Sequence, residues 1–106
     1  MYTVIATFPA TDAARETVRR QVLDSTSMLE TAEGCVAWQA LRSPEDDTVH
    51  ALVMMFTSEE AFLAMARSEE SRDAHADVDM ANYAEPPTVR GFEVIAAGHP
   101  TAEAAA

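Results

Sequence analysis

From Val49 to Phe56 apolar side chains occupy both parities of the chain, with Val49, Ala51, Val53 and Met55 on one side and Leu52, Met54 and Phe56 on the other. Successive side chains of a strand point to opposite faces, so the segment predicts a strand that needs cover on both. Tyr2 to Phe8 is β-branched and aromatic up to Pro9, which cannot donate to a ladder, and predicts an earlier strand. Val18, Val22 and Leu29 recur at helical spacing, with Arg15, Glu16, Arg19 and Arg20 mostly on other faces. Thr11 or Asp12 can accept from the first free amides, which predicts a helix running to about Ala32 and closed by Gly34. Cys35 to Arg42 predicts a second strand, and the turn formers Ser43-Pro44-Glu45-Asp46-Asp47 let the Val49 strand return antiparallel to it. Thr57-Ser58-Glu59-Glu60 has the spacing of a capping box with Thr57 as the cap, and Ala61, Phe62, Met65 and Ala66 then share a helical face. The helical pattern weakens from Ser68 to Ser71 and resumes with Ala74 and Val78, which predicts a second, bent piece. Pro86 and Pro87 end it, and Val89 to Ala97 predicts the last strand.

The order strand, helix, strand, strand, helix, strand is the split βαβ arrangement of a ferredoxin-like α+β fold. Right-handed crossovers put both helices on one face of a four-stranded antiparallel sheet. The other face is apolar and bare, so a homodimer through the sheet face is expected, burying on the order of 800 Å² per subunit. Residues 1–98 make one domain, and a disordered tail is expected over 99–106.

Composition narrows the partners. A formal charge of -11 and a pI near 4.4 repel phosphate backbones and anionic lipid, so neither nucleic acid nor membrane is an expected partner. One cysteine, Cys35, excludes an internal disulfide, and no basic residue precedes Arg15, so a secretory signal is not expected and the cytoplasm is the expected location. No apolar run reaches the roughly 20 residues of a membrane span. No phosphate-cradling glycine loop, paired-cysteine motif or nucleophile elbow occurs.

The element order, Glu33-Gly34-Cys35 at the start of the second strand, the junction Phe56-Thr57-Ser58-Glu59-Glu60-Ala61-Phe62, and the stretch Ser68 to His75 together resemble the antibiotic biosynthesis monooxygenase family, from about Tyr2 to Gly98. The resemblance implies a dimeric α/β barrel. It implies oxidation of small aromatic or polycyclic molecules by O₂ with neither metal nor flavin, or, in one branch, binding and degradation of haem. His75 falls where that branch has its axial histidine. Its strand-one asparagine and helix-two tryptophan have no counterpart, because the only asparagine here is Asn82, the only tryptophan is Trp38, and Met65 stands at the tryptophan's place. The quinone-forming branch tends to carry an asparagine and a tryptophan where this chain has Leu52 and Phe56. Such departures imply a retained pocket with a different ligand.

The expected function is therefore a small cofactor-independent monooxygenase acting on an aromatic or polycyclic molecule. A haem-binding or haem-degrading enzyme with His75 as axial ligand, a non-catalytic ligand-binding or regulatory module, and a cyclase or isomerase are the alternatives. His75 is either a general base or iron ligand, or an exposed helix histidine. His50 has the parity of Leu52 and Met54 and is either a second base or a strand-end residue. Thr3, Thr7 and Tyr83 could hydrogen-bond a substrate oxygen, with Trp38, Met54, Phe62 and Met65 as apolar walls. Trp38 reads first as core or dimer packing and otherwise as a ring to stack on a flat substrate, and Met54, Met55, Met65 and Met80 read first as filler of an ordinary core and otherwise as an adaptable pocket. Cys35 has no basic neighbour in sequence and reads as a buried thiol. Glu69, Glu70, Asp73, Asp77 and Asp79 spread around their helix as a solvated face, so no metal site is expected.

Overall fold

The computed structural model describes residues 1–100. Strand β1 (Tyr2–Pro9), helix α1 (Arg15–Leu29), strands β2 (Cys35–Arg42) and β3 (Val49–Phe56), helices α2 (Glu59–Ala66) and α3 (Glu69–His75) and strand β4 (Thr88–Glu93) follow in order, with short 3₁₀ turns at Asp12–Ala14 and Met80–Asn82. The strands form one antiparallel sheet in the order β2-β3-β1-β4, the ferredoxin-like α+β fold expected from the sequence. Most of the tail expected to be disordered, 101–106, lies outside the described residues.

Register decides which side chains meet. Across the sheet, Trp38, Met54, Val4 and Gly91 form one row, and Ala40, Leu52, Ala6 and Val89 the next. These rows face the helices, where Val4, Ala6, Leu52, Met54 and Phe56 are buried with Leu29 of α1. Phe56 is fully covered and meets Phe62 of α2 edge to face, with ring centroids 5.6 Å apart. Val18 and Val22 of α1 build a second cluster with Ala10 and Ala14. The opposite rows, Ala37-Met55-Thr3-Phe92 and Gln39-Val53-Ile5-Arg90, carry no helix. Ile5 and Phe92 remain 39% and 44% exposed there, so β3 is apolar on both sides and covered by this chain on one.

Local chemistry explains the junctions, with four departures from expectation. The cap of α2 is Ser58, whose Oγ accepts from the Ala61 amide at 3.1 Å, and Thr57 is not the cap. Thr57 instead donates its backbone amide to the Gly34 carbonyl at 2.9 Å, which ties the start of β2 to the end of β3. Neither Thr11 nor Asp12 caps α1 with its side chain; Arg15 fixes this corner by donating to the Asp12 carbonyl and to the Asp47 carboxylate at 2.9 Å. α1 ends at Leu29 rather than Ala32, and β4 ends at Glu93 rather than Ala97; its register with β1 closes at Tyr2, followed by one bond from the Val94 amide to the Met1 carbonyl at 3.0 Å. Gly34 has φ +81, and a Cβ there would sit 2.7 Å from the Cβ of Ala61, so both backbone conformation and packing require glycine. Between β2 and β3, Ser43 Oγ accepts from the Glu45 and Asp46 amides, and Asp46 accepts from both the amide and the hydroxyl of Thr48. Those bonds hold the Asp46 carboxyl below its ordinary pKa.

His50, on the helix side of β3, is only 4% exposed, and among the described residues neither ring nitrogen has a hydrogen-bond partner. Burial, and then the nearby charges of Arg19 and Arg42, push its pKa below the ordinary 6.5. The folded protein thus resists a proton that the unfolded chain accepts, so this residue lowers stability increasingly as pH falls below about 6.5. His50→Leu, which removes the unpaired nitrogens, is expected to raise stability by about 1 kcal/mol at neutral pH and by more at pH 5.5, measured by urea unfolding at both values; equal stabilisation at the two would contradict the titration argument. Phe56→Ala removes the largest fully buried side chain among the described residues and is expected to cost about 3–5 kcal/mol in the same assay.

Candidate active site

Between the helix side of the sheet and α1, α2 and α3 lies a cleft of about 710 Å³, within the roughly 300–1,000 Å³ range of small-molecule sites. Its floor is Ala6, Phe8, Leu52 and Met54 of the sheet; Met28 of α1 and Phe62 and Met65 of α2 form walls, and His75, Arg72 and Tyr83 lie around it with Val78 and Met80. Helix α3 exists as a separate element because Ser68 interrupts the chain after α2. Its Oγ accepts from the Ser71 amide at 3.1 Å and so starts a new helix. One turn separates Ser71 from His75, and this spacing carries the histidine to the cleft.

Three polar groups of the lining have their hydrogens already engaged. His75 Nδ1 lies 2.6 Å from the Ser71 carbonyl oxygen; a carbonyl only accepts, so Nδ1 carries the hydrogen and Nε2 of the neutral ring keeps a lone pair. Tyr83 Oη donates to Gln21 Oε1 at 3.2 Å, and burial raises its pKa, so the phenol stays protonated at neutral pH. Ser25 Oγ donates to the Val22 carbonyl at 2.7 Å. Each group retains acceptor capacity. Arg72 is the cation of the lining, and among the described residues no carboxylate lies within ion-pairing distance of it. The site is an apolar slot with acceptors, the Ser71 hydroxyl and one guanidinium.

The structure brings together five of the expected residues, His75, Met54, Phe62, Met65 and Tyr83, and leaves His50, Trp38, Thr7 and Thr3 elsewhere. His50 lies under α1 on the β2 side of the sheet, in a separate recess with Arg19 and Arg42, and is therefore no second base for this cleft. Trp38 packs against the core cluster around Phe56 and Met54, where its register on β2 puts it. Thr7, like Thr3, pairs with β3 residues of the odd parity and stands on the side without helices, so neither hydroxyl reaches the cleft. Met80 lines the cleft, whereas Met55 is on the bare side. Cys35 is half-buried, burial raises its pKa, and it is absent from the lining. Arg72, Ser25, Gln21 and Met28 were not expected. Gln21, Ser25 and Met28 recur along α1 beside the buried stripe Val18-Val22-Leu29, and a polar residue next to such a stripe was the signal available. Arg72 is three residues before His75 and shares its helical face.

Among the described residues no helix is long and apolar enough to cross a membrane, and no three histidine, cysteine or acidic side chains are grouped to hold a metal ion. The chain is similar in structure to Rv0793 from Mycobacterium tuberculosis, with a TM-score of 0.82 at 18% identity over 92% of this chain and 98% of that one. It is also similar to PA3566 from Pseudomonas aeruginosa, with a TM-score of 0.78 at 15% identity over 90% of this chain and 94% of that one. A third solved structure, of an antibiotic biosynthesis monooxygenase, gives 0.78 at 14% identity over 91% of this chain and the whole of that one. At these identities the likeness shows a shared fold. No curated protein matches the sequence significantly. Residues 1–77, about three quarters of the chain, match the family described as antibiotic biosynthesis monooxygenase, and the chain belongs to it.

Proposed function

We propose that this chain is a monooxygenase that oxidises a small, hydroxylated aromatic or polycyclic molecule with O₂ in the cleft. The observation that carries this reading is the lining itself: an apolar slot whose engaged donors leave acceptors at His75, Tyr83 and Ser25. An acceptor set favours a ligand that presents O–H groups, and a flat apolar body suits the methionine and phenylalanine walls. His75 Nε2 takes the proton of the bound phenol or enol, and Arg72 stabilises the anion left behind. That anion is electron-rich enough to reduce O₂ directly. Conversion of a CH₂ or aromatic C–H to a carbonyl gives up four electrons, so one oxygen atom enters the product and the other leaves as water. The substrate supplies all the electrons, and the protein supplies orientation, deprotonation and charge stabilisation. We propose further that two copies pair through the side carrying Ile5, Val53, Met55 and Phe92, which no helix of this chain covers.

The test is oxygen uptake with a panel of 1-naphthol and polycyclic phenols. Turnover is expected with at least one, and His75→Ala is expected to lower kcat by about 10²–10⁴, with Arg72→Gln reducing it less. Ligand-induced stabilisation by these compounds without oxygen uptake would replace the enzyme with a binding module, and product without oxygen uptake would indicate an isomerase or cyclase. The Nε2 lone pair of His75 is also suited to ligate iron, which keeps haem as a second reading. A Soret shift on adding haemin that vanishes in His75→Ala supports haem as the ligand. In sedimentation the protein is expected as a dimer at micromolar concentration, with Val53→Arg giving folded monomer; a wild-type monomer would overturn the pairing.

A further inference from the structure

His50 poses a problem the cleft does not solve. An imidazole with both nitrogens buried and unpaired costs stability, and a neutral ring always has one N–H to give. Beside it is a recess of about 190 Å³, formed by Arg19, Val22 and Leu23 of α1, Ala40, Leu41 and Arg42 of β2, and His50 itself. None of these residues lines the cleft. Two of the chain's seven arginines meet here, in a protein with 18 acidic residues and no lysine.

The nearest carboxylates leave this charge largely uncompensated. Asp47 accepts from Arg15 through both oxygens, at 2.9 and 3.1 Å. Glu16 reaches Arg19 at 3.7 Å in a solvent-exposed pair, a contact worth little. Among the described residues no carboxylate lies within ion-pairing distance of Arg42. The recess therefore combines two guanidinium groups, a buried N–H donor and aliphatic walls.

We propose that this recess binds a small organic carboxylate, its anionic end held by Arg19 and Arg42 and bonded by His50, its apolar body against Val22, Leu23 and Leu41. Charge-assisted hydrogen bonds are the strong class, and the planar guanidinium fork matches a carboxylate in both oxygens. Burial keeps His50 neutral at neutral pH, so it offers one N–H donor and no competing charge. The size of the recess limits the ligand to a body of about one ring or a short branched chain, smaller than the ligand the cleft admits. The proposal is independent of what the cleft does.

Benzoate is the probe, titrated into the intact protein while the ring signals of the histidines are followed by NMR at pH 7, with the His50 signal identified by its loss in His50→Gln. A saturable shift of the His50 signal, with His75 unmoved, is the expected result, and benzamide, isosteric but uncharged, is expected to give none. The double variant Arg19→Gln, Arg42→Gln is expected to weaken the benzoate response by at least about tenfold, with unchanged signals elsewhere showing that it is folded. An unshifted His50, an equal response in the folded double variant, or a shift confined to His75 would overturn the site. An equal response to inorganic phosphate would overturn the assignment to an organic carboxylate.

Discussion

The structure depends on the two-sided burial demand of β3. With the helices on one side, the parity of Leu52, Met54 and Phe56 assigns those residues to the interior and sends Val49, Ala51, Val53 and Met55 to the other side. A slip of one residue would exchange the sets, so the register with β1 and β2 is the constraint from which the rest follows. It places Val4 and Ala6 beneath the helices, and it puts Thr3 and Thr7 where no group under the helices can reach them.

The cleft follows from a mismatch between this floor and its cover. α1 packs on β2 and β3 through Val18, Val22 and Leu29, while α2 packs on the Phe56 end through Phe62. Neither helix lies over the region of Ala6 and Val89, and the space left there is flanked by α3 and the chain leading to β4. Ordinary hydrogen-bond accounting then gives this space its chemistry. His75, Tyr83 and Ser25 each give their hydrogen to a partner within the protein and keep a lone pair, and a guest meets those acceptors beside the Arg72 guanidinium.

Much of the fold was legible in the sequence, because periodicity reports burial directly. β2 and β3 were bounded correctly, and the interruption near Ser68 was visible as a weakening pattern. Caps were less legible: Thr57 and Ser58 are both good N-cap residues, and the tertiary bond from the Thr57 amide to Gly34 decided between them. The site was legible where residues belong to one helix, as with His75, Phe62 and Met65. It failed where cross-sheet placement mattered. His50 has the right parity for the cleft and shares β3 with its floor residues Leu52 and Met54, but it lies at the start of that strand, beneath α1 and beside Arg42 of β2, and only the packing of α1 on the sheet reveals that separation. Arg72 is the lone cation among Glu69, Glu70, Asp73, Asp77 and Asp79, a run whose pattern reads as a solvated face.

The Ser68 cap has a dynamic consequence. Helix α3 spans seven residues, well below the length at which an isolated helix persists in water, so its order is borrowed from packing through Ser71 and from contacts with α1 and α2. The groups that would handle proton and charge, His75 and Arg72, ride on this least self-sufficient segment, while the apolar floor is anchored in the sheet. Amide hydrogens of α3 should consequently exchange with solvent well before those of β1 and β3, making the chemical half of the cleft a door and its greasy half the frame.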